Sequence, residues 1–299
     1  MGAMTHSSAH TIVMTGVSQG IGAVAASRLL ADDPHAHLVV VGRRPGPTSP
    51  RITFVDVDLA DIEATRTAGR HIGALVQNGS IPKLDRFVGN AGIQYTDAVT
   101  TTVDGLEATF AVNVVANHVL LTQLRSHLTD SSRIVITVSD THFGDLRHNL
   151  ALVPAPVWSA PDVLARPGAF AQPESAAAGR TAYSTSKLAA VHLVHAWADA
   201  LEPGVDIISF NPGLVPGTGL ARHAGRGAQR MMRALGPALT LTPLATTSTQ
   251  AGAALADLVS GRTLARSGDY VDRNRVVSSS AESYDPARES ELMAFLDTL

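Results

Sequence analysis

A tyrosine and a lysine stand four positions apart in the segment Tyr183-Ser-Thr-Ser-Lys187. On a helix this spacing brings both side chains to one face. A tyrosine with its ordinary pKa of about 10 is a weak acid at neutral pH. We expect the ammonium of Lys187 to stabilise the phenolate and lower the pKa of Tyr183, so that the pair can exchange protons with a substrate. The spacing alone is equally typical of an ordinary amphipathic helix.

A glycine-rich segment near the start of the chain has the residues to bind a dinucleotide. It runs Thr15-Gly-Val-Ser-Gln-Gly-Ile-Gly22, directly after the first predicted strand and into the first predicted helix. Glycines allow a tight turn and a close backbone approach to a pyrophosphate, and the helix N-terminus offers free N–H groups to the anion. An ordinary strand-to-helix turn is the alternative. We expect cofactor contacts from Gly16, Ser18, Gln19, Gly20, Ile21 and Gly22.

The end of the second predicted strand, Val41-Gly-Arg-Arg44, bears on which dinucleotide is bound. In such sites an acidic residue near this place binds the adenine ribose of NAD. No acid is present here, and an arginine can instead bind a 2′-phosphate. We therefore expect NADPH or NADP+, bound by Arg43 first and Arg44 second, the alternative being two solvated arginines. Later strand ends fit further cofactor contacts from Asp58, Leu59, Asn90, Ala91 and Gly92.

An alternating series of strands and helices must position these residues. Short apolar segments predict strands at Thr11–Thr15, Leu38–Val41, Thr53–Val55, Arg86–Gly89, Arg133–Val138, Asp206–Phe210 and Gly268–Val271. Between them, helices are predicted at roughly 21–31, 59–77, 103–128, 181–201, 246–259 and 286–297. Continuously apolar strands are typical of a parallel sheet buried on both faces. The alternation predicts an α/β fold, a single doubly wound Rossmann-type parallel sheet with helices on both faces.

We expect a single domain spanning 1–299. Several segments within it depart from the alternation of strands and helices. We expect 1–10 to be a disordered tail, 144–178 an insertion, 213–241 a lid over the substrate, and 272–299 a C-terminal tail and helix. In the insertion, Trp158 and Phe170 could line the pocket, although a small apolar core is the favoured interpretation. The expected lid carries a basic stripe made up of Arg222, Arg226, Arg230 and Arg233. This stripe could attract an anionic substrate, but the favoured interpretation is a solvated helix face.

The composition excludes several classes of protein. With 45% hydrophobic and 16% charged residues, the 299-residue chain can bury a large core, which excludes a wholly disordered protein. The net charge of −3 argues against a nucleic-acid partner. The chain has no cysteine, and His192 and His195 have no carboxylate at ligand spacing, so no metal is expected. No segment predicts a signal peptide or membrane helix, and we expect a cytoplasmic protein.

Further motifs complete a resemblance to a known family. They are Asn113 in Phe110-Ala-Val-Asn-Val, Ser139 at the end of Arg133-Ile-Val-Ile-Thr-Val-Ser, and Asn211-Pro-Gly. Together with the glycine turn and the tyrosine–lysine pair, they make the chain resemble the classical short-chain dehydrogenases/reductases from Thr11 to about Val271. The gap of 44 positions between Ser139 and Tyr183 is similar to that of carbonyl reductases, retinol dehydrogenases and light-dependent protochlorophyllide reductases. The tail resembles the retinol and protochlorophyllide branch, whose protochlorophyllide members carry active-site cysteines that this chain lacks.

The resemblance implies roles for a catalytic set of four residues. Tyr183 donates a proton to the substrate carbonyl as hydride arrives from NADPH, and Ser139 orients the same oxygen. Lys187 lowers the pKa of Tyr183 and binds the nicotinamide ribose, while Asn113 holds a water that connects Lys187 to solvent. The resemblance also implies contacts with the nicotinamide or pyrophosphate from Pro212, Gly213, Val215 and Thr218.

The substrate is expected beyond the carboxyl ends of the strands, against Asp140, His142, Phe143 and Met231. Asp140 stands where small residues are common in the family, and His142 could instead be a structural loop residue. We expect an NADPH-dependent carbonyl reductase acting on a fairly bulky, mainly apolar small molecule. The alternatives are an NADP-linked alcohol dehydrogenase, a redox-neutral reaction on the same scaffold, and a non-catalytic NADPH-binding protein. Monomer and homo-oligomer both stay open.

Overall fold

The computed structural model describes residues 8–149, 153–216 and 245–299. One sheet contains the strands β1 (His10–Thr15), β2 (Ala36–Gly42), β3 (Ile52–Asp56), β4 (Leu84–Gly89), β5 (Leu128–Thr137), β6 (Asp206–Asn211), β7 (Tyr270–Asp272) and β8 (Arg275–Val277). Their order is β3-β2-β1-β4-β5-β6-β7-β8. Neighbouring strands are parallel except β7 and β8, which are antiparallel. Because the order reverses between β1 and β4, a crevice opens at their carboxyl ends.

Helices cover both faces of this sheet. They are α1 (Gly20–Asp32), α2 (Ile62–Gln77), α3 (Ala108–Phe110), α4 (Ala116–Leu124), α5 (Leu146–Asn149), α6 (Pro161–Leu164), α7 (Ala176–Ala200), α8 (Ser248–Val259) and α9 (Pro286–Leu296). One apolar core joins the sheet to α1 and α8, and a second joins it to α2, α4 and α7, with α9 packed against α7. Strands such as β1, in which all six residues are buried, need this double cover. The predicted doubly wound parallel sheet is therefore confirmed.

Local sequence signals fix where the helices begin and how closely they pack. The Ser175 hydroxyl caps α7 by accepting from the backbone N–H of Ala178. Thr247 and Gln250 form a capping box at the start of α8. A Cβ on Gly252 would lie 2.5 Å from the Cβ of Val24, so this glycine is what lets α8 approach α1 so closely.

The structure differs from the sequence-based expectation at several boundaries. β1 begins at His10, which is buried, so the predicted tail of 1–10 is too long. The helix expected at 103–128 begins at Ala108, passes through a π-helical turn at Ala111–Val115 and continues as α4. Strand β8 was not predicted, because its three exposed residues show no buried apolar pattern.

The segment expected as an insertion is packed against the core and ends sooner than expected. It includes α5 and α6, and α7 begins at Ala176 rather than after 178. Phe170 is buried in the core, and the ring of Trp158 lies 4.7 Å from the ring of His192 in α7. These contacts favour the apolar-core interpretation of both aromatic residues. Thr218, Met231, the arginine stripe and nearly all of the expected lid lie outside the described residues.

None of the helices in the described ranges is both long and apolar enough to cross a membrane.

Candidate active site

The glycine turn between β1 and α1 depends on the absence of side chains. Gly16 has φ +68° and Gly20 has φ +61°, in the left-handed region that glycine tolerates best. A Cβ on Gly16 would lie 2.7 Å from the backbone nitrogen of Ala91, and one on Gly22 would lie 2.1 Å from the carbonyl oxygen of Gly16. The turn therefore folds back on itself and against the end of β4 with no space for larger residues.

Hydrogen bonds hold the predicted contacts after β4 against this turn. The Asn90 side-chain amide donates to the carbonyl of Gly16 (3.0 Å), and the N–H of Ala91 donates to the Thr15 hydroxyl (2.9 Å). Thr137, at the end of β5, donates to the Asn90 Oδ1 (3.2 Å). The carboxyl ends of β1, β4 and β5 are thereby joined into one rigid edge.

The start of α1 has the electrostatics of an anion site. Gln19 is its N-cap residue but makes no side-chain capping bond, and the first turn contains no acidic residue. The N–H groups at this end therefore keep their capacity to donate to a phosphate. Ser18 and Gln19 are exposed at the turn, whereas Gly22 is buried beneath it. This cradle fits the diphosphate of a dinucleotide.

Two exposed arginines follow β2 at the neighbouring strand end. The Arg43 guanidinium forms an ion pair with the Asp58 carboxylate across 3.3 Å, and both side chains are about half exposed. Arg44 is also exposed. Leu59 lies partly buried against the core beside α2. The structure thus places Arg43 and Asp58, both predicted as cofactor contacts, within direct reach of each other.

Asn113 lies in the π-helical turn and is nearly fully buried. Its side-chain amide donates to the carbonyl of Ile93 (3.0 Å) and to the Ser186 hydroxyl (2.9 Å), while its Oδ1 accepts from the N–H of Ile93 (2.9 Å). The backbone carbonyl of Asn113 accepts from the Asn117 amide (2.9 Å). The side chain of Asn113 therefore connects the segment after β4 to α7.

Tyr183 and Ser139 meet at the carboxyl end of β5. Tyr183 is buried in α7, and its phenol lies near enough to the Ser139 hydroxyl for that group to affect its pKa. Burial raises the pKa of Tyr183 well above its ordinary value, the contact with Ser139 lowers it, and the charge on Asp140 raises it further. Lys187 is not among the groups that shift this pKa, so the expected lowering by Lys187 stays a prediction. The phenol therefore keeps its proton at neutral pH.

Lys187 lies on the same face of α7 as Tyr183 and is almost fully buried. Its ammonium donates to the carbonyl of Thr137 (2.9 Å) and lies 5.7 Å from the centre of the Tyr183 ring. Burial lowers the pKa of Lys187 to about 8. The bond to Thr137 holds the Lys187 ammonium at the carboxyl end of β5, two residues before Ser139.

Asp140 follows Ser139 and faces charged groups that the sequence analysis missed. Burial raises the pKa of Asp140 to about 6; the contact with Ser139 lowers it and the neighbouring Asp272 raises it. Arg273, in the turn between β7 and β8, has φ +58°, and its positive charge lowers the pKa of Asp140. Because β8 was not predicted, sequence reasoning offered no signal that Asp272 and Arg273 lie at the site.

The loop after β6 is held against the same edge. The Asn211 Oδ1 accepts from the N–H groups of Asp140 (3.3 Å) and Gly213 (3.1 Å), and its amide donates to Asp272 (3.0 Å). Gly213 has φ +73°, and a Cβ there would lie 2.8 Å from the Arg273 Nε. The predicted contacts Pro212 and Gly213 therefore lie near the Ser139 edge. Val215, two residues further on, is buried, and Thr218 lies outside the described residues.

His142 has a structural role, and the expected substrate contact is wrong. Its ring is 2% exposed; Nδ1 lies 2.6 Å from the carbonyl of Ser139, and Nε2 accepts from the N–H of Ser280 (3.1 Å). With both nitrogens engaged, the ring cannot donate to a substrate. Burial lowers its pKa to about 4, so it stays neutral near pH 7. Phe143 is partly buried and stacks on His148 at 3.8 Å.

His192 and His195 have a carboxylate neighbour that the sequence analysis did not anticipate. Glu289 from α9 lies 3.2 Å from the His195 Nδ1 and 3.9 Å from the His192 Nδ1. Even so, a search of the described residues finds no group of three or more His, Cys, Asp or Glu side chains arranged to hold a metal ion.

The sequence was compared with known proteins and families. The family model for short chain dehydrogenases matches residues 10–149. Over 235 residues the chain is 30% identical to the oxidoreductase fscI of Fusarium equiseti, covering 69% of this chain and 87% of that one. The chain belongs to the short-chain dehydrogenase/reductase family. Members of this family are oxidoreductases that use nicotinamide cofactors.

Two further comparisons place the chain within this short-chain dehydrogenase/reductase fold. It is 31% identical over 143 residues to the "Putative daunorubicin C-13 ketoreductase DnrU" of Streptomyces sp. (strain C5), covering 44% of this chain and about half, 47%, of that protein's length. The crystal structure of an NADPH-bound carbonyl reductase from chicken fatty liver has a TM-score of 0.61 at 16% identity, covering 91% of this chain and 99% of that one. At this identity the structural similarity establishes the fold alone.

Proposed function

We propose that this protein is an NADPH-dependent reductase for the carbonyl group of a fairly bulky, mainly apolar small molecule. The observation that carries the proposal is that Tyr183 in α7 lies close to Ser139 at the carboxyl end of β5, with Lys187 held by Thr137 one helical turn from Tyr183. Two hydroxyl groups that meet at the open edge of the sheet can both reach one substrate oxygen. Asn113 fixes the backbone beside them.

The chain's own residues supply the proton side of the reaction. When a hydride adds to the carbonyl carbon, the carbonyl oxygen becomes an alkoxide, and Tyr183, which keeps its proton at neutral pH, donates that proton to the oxygen. The Ser139 hydroxyl donates a hydrogen bond to the same oxygen and orients it. Lys187 would bind the nicotinamide ribose, and Asn113 would hold a water between Lys187 and solvent. A bound NADPH supplies the hydride.

The preference for NADPH rests on charge at the end of β2. Arg43 and Arg44 are exposed there. The residue before them is Gly42, so the end of β2 has no carboxylate to bind the ribose hydroxyls of NADH. Arg43 would exchange its single contact with Asp58 for bonds to the 2′-phosphate. The Gly16–Gly22 turn and the start of α1 would hold the diphosphate, and Asn90, Ala91 and Gly92 would lie alongside the cofactor. The NADPH in the chicken carbonyl reductase supports the same cofactor, and the ketoreductase name of DnrU supports carbonyl reduction.

The test is NADPH oxidation by the purified protein across a panel of ketones, aldehydes and quinones of graded size. We expect turnover with NADPH, weaker turnover with NADH, and higher kcat/KM for bulky apolar carbonyls than for small ones. NADPH binding without turnover of any member, combined with oxidation of the matching alcohols by NADP+, would instead favour an alcohol dehydrogenase.

A further inference from the structure

Asp140 lies where it can compete for the hydroxyl hydrogen of the catalytic serine. Ser139 ends the extended segment after β5, and the chain then turns through Asp140–Phe143. The Ser139 hydroxyl donates to the Asp140 Oδ1 across 3.3 Å and accepts from the N–H of Thr141 across 3.3 Å. Both contacts are longer than a typical hydroxyl hydrogen bond of about 2.8 Å, so they can be exchanged readily.

A serine hydroxyl carries one hydrogen and two acceptor sites. In the described site three groups can take that hydrogen: the Asp140 carboxylate, the Tyr183 oxygen, and the carbonyl oxygen of a substrate. A carboxylate is the stronger acceptor, because a hydrogen bond to a charged group is roughly twice as strong as one between neutral groups. While Asp140 is ionised, it therefore competes with a ketone for the Ser139 hydrogen and weakens the bond that Ser139 makes to the ketone.

We propose that Asp140 is a positioning residue that competes with the substrate carbonyl for the Ser139 hydrogen, so that its protonation state sets the rate of carbonyl reduction. This inference rests on the proposed function. Protonated Asp140 donates to the Ser139 oxygen, and Ser139 then donates to the carbonyl that is to be reduced. Ionised Asp140 accepts from Ser139, which is then less available as a donor to the carbonyl. The only transfer in this switch is one proton between Asp140 and solvent.

The groups around Asp140 determine the pH at which this carboxyl group changes its protonation state. Burial raises the pKa of Asp140 to about 6, and the nearby charge of Asp272 contributes to the rise, whereas Ser139, His148 and Arg273 lower it. These groups come from α5, the β5 end and the β7–β8 turn. Two phenols also face the carboxylate, and its charge raises the pKa of both, Tyr183 and Tyr270.

The kinetic test is the pH profile of carbonyl reduction between pH 5 and 8. In the wild type we expect kcat to fall about tenfold as the pH rises through 6, and we expect Asp140→Asn and Asp140→Ser to lose this fall. Asp272→Asn should move the midpoint to lower pH and Arg273→Gln to higher pH, because they remove charges of opposite sign. A purely structural role for Asp140 would not give opposite shifts. A midpoint that persists in both Asp140 variants overturns the proposal.

The second measurement does not depend on turnover. Carboxyl carbon NMR of protein labelled at aspartate gives the Asp140 midpoint directly, with Asp140→Asn assigning the signal. Ser139→Ala should raise that midpoint, because the hydrogen bond from Ser139 stabilises the carboxylate. An unchanged midpoint overturns the proposed contact. A raised midpoint in a protein that reduces no carbonyl supports the contact and rejects the proposed function instead.

Discussion

At the scale of the residue, the site is a set of polar side chains whose bonds are set by neighbouring elements. Lys187 donates to Thr137, Asn113 bonds both Ile93 and Ser186, and Asn90 spans Gly16 and Thr137. These bonds fix the positions of the groups before a substrate arrives, which reduces the reorganisation that the reaction requires.

The choice of cofactor is tested by Arg43→Ala. We expect the Kd for NADPH to rise at least tenfold, since a charge-assisted bond contributes roughly 1.5–3 kcal/mol, while the Kd for NADH changes by less than about twofold. Titration of protein fluorescence with each cofactor measures both values. Arg70→Ala is the matched control, because it removes another half-exposed arginine that pairs with a carboxylate, Glu63, on α2. Equal losses for NADPH and NADH would reject the proposed phosphate contact.

At the scale of the element, His142 joins the turn that follows β5 to the segment before α9. It bonds Ser139 on one side and Ser280 on the other, and its ring packs 5.1 Å from that of Tyr270 in β7. The Ser139 turn therefore depends on a segment near the C-terminus for its position, although neither was expected to contact the other.

His142→Ala tests this connection. It leaves the buried N–H of Ser280 without its partner, removes one of the two bonds to the Ser139 carbonyl and opens a cavity, and we expect the free energy of unfolding to fall by about 2–3 kcal/mol, measured by urea denaturation. His71→Ala, at an exposed position on α2, is the control and should change it by less than about 0.5 kcal/mol. If both variants were equally stable, His142 would not hold the two segments together.

At the scale of the whole molecule, the strands and the glycine turn were predictable because local patterns determine them. Continuous apolar residues in β1 and β2 specify buried parallel strands, and Gly16, Gly20 and Gly22 specify a turn that only glycine tolerates. The remaining features depend on contacts distant in sequence. The rise in the Tyr183 pKa follows from burial, and the bond from Ser280 to His142 spans 138 positions, so no local motif reveals either.

Buried histidines make the whole fold sensitive to acid. Burial lowers the pKa of His142 to about 4 and that of His192 to about 3, from an ordinary value of 6.5. Between pH 6.5 and the lowered pKa values, the unfolded chain binds more protons than the native protein. The free energy of unfolding therefore falls as the pH decreases below 6.5. By pH 4 the shifted pKa of His142 alone would lower the free energy of unfolding by roughly 3 kcal/mol. Asp140, whose pKa is raised, has the opposite effect.

His192→Leu isolates part of this effect. Both nitrogens of its fully buried ring lack hydrogen-bond partners in the structure, so leucine should raise stability at pH 7 by about 1 kcal/mol and flatten the loss between pH 6.5 and 4. Urea denaturation across that pH range gives both values. If the free energy of unfolding fell as steeply with decreasing pH in this variant as in the wild type, the assigned effect of burying His192 would be contradicted.

The central claim is that Tyr183 is the proton donor in carbonyl reduction, and Tyr183→Phe tests it most directly. The measurement is single-turnover NADPH oxidation with the best carbonyl substrate, alongside NADPH binding by fluorescence. We predict a loss of about 10³-fold in rate with the Kd for NADPH unchanged within about twofold, while Tyr284→Phe, at an exposed tyrosine, retains wild-type rate. A Tyr183→Phe variant that oxidises NADPH within about threefold of the wild-type rate would contradict the account.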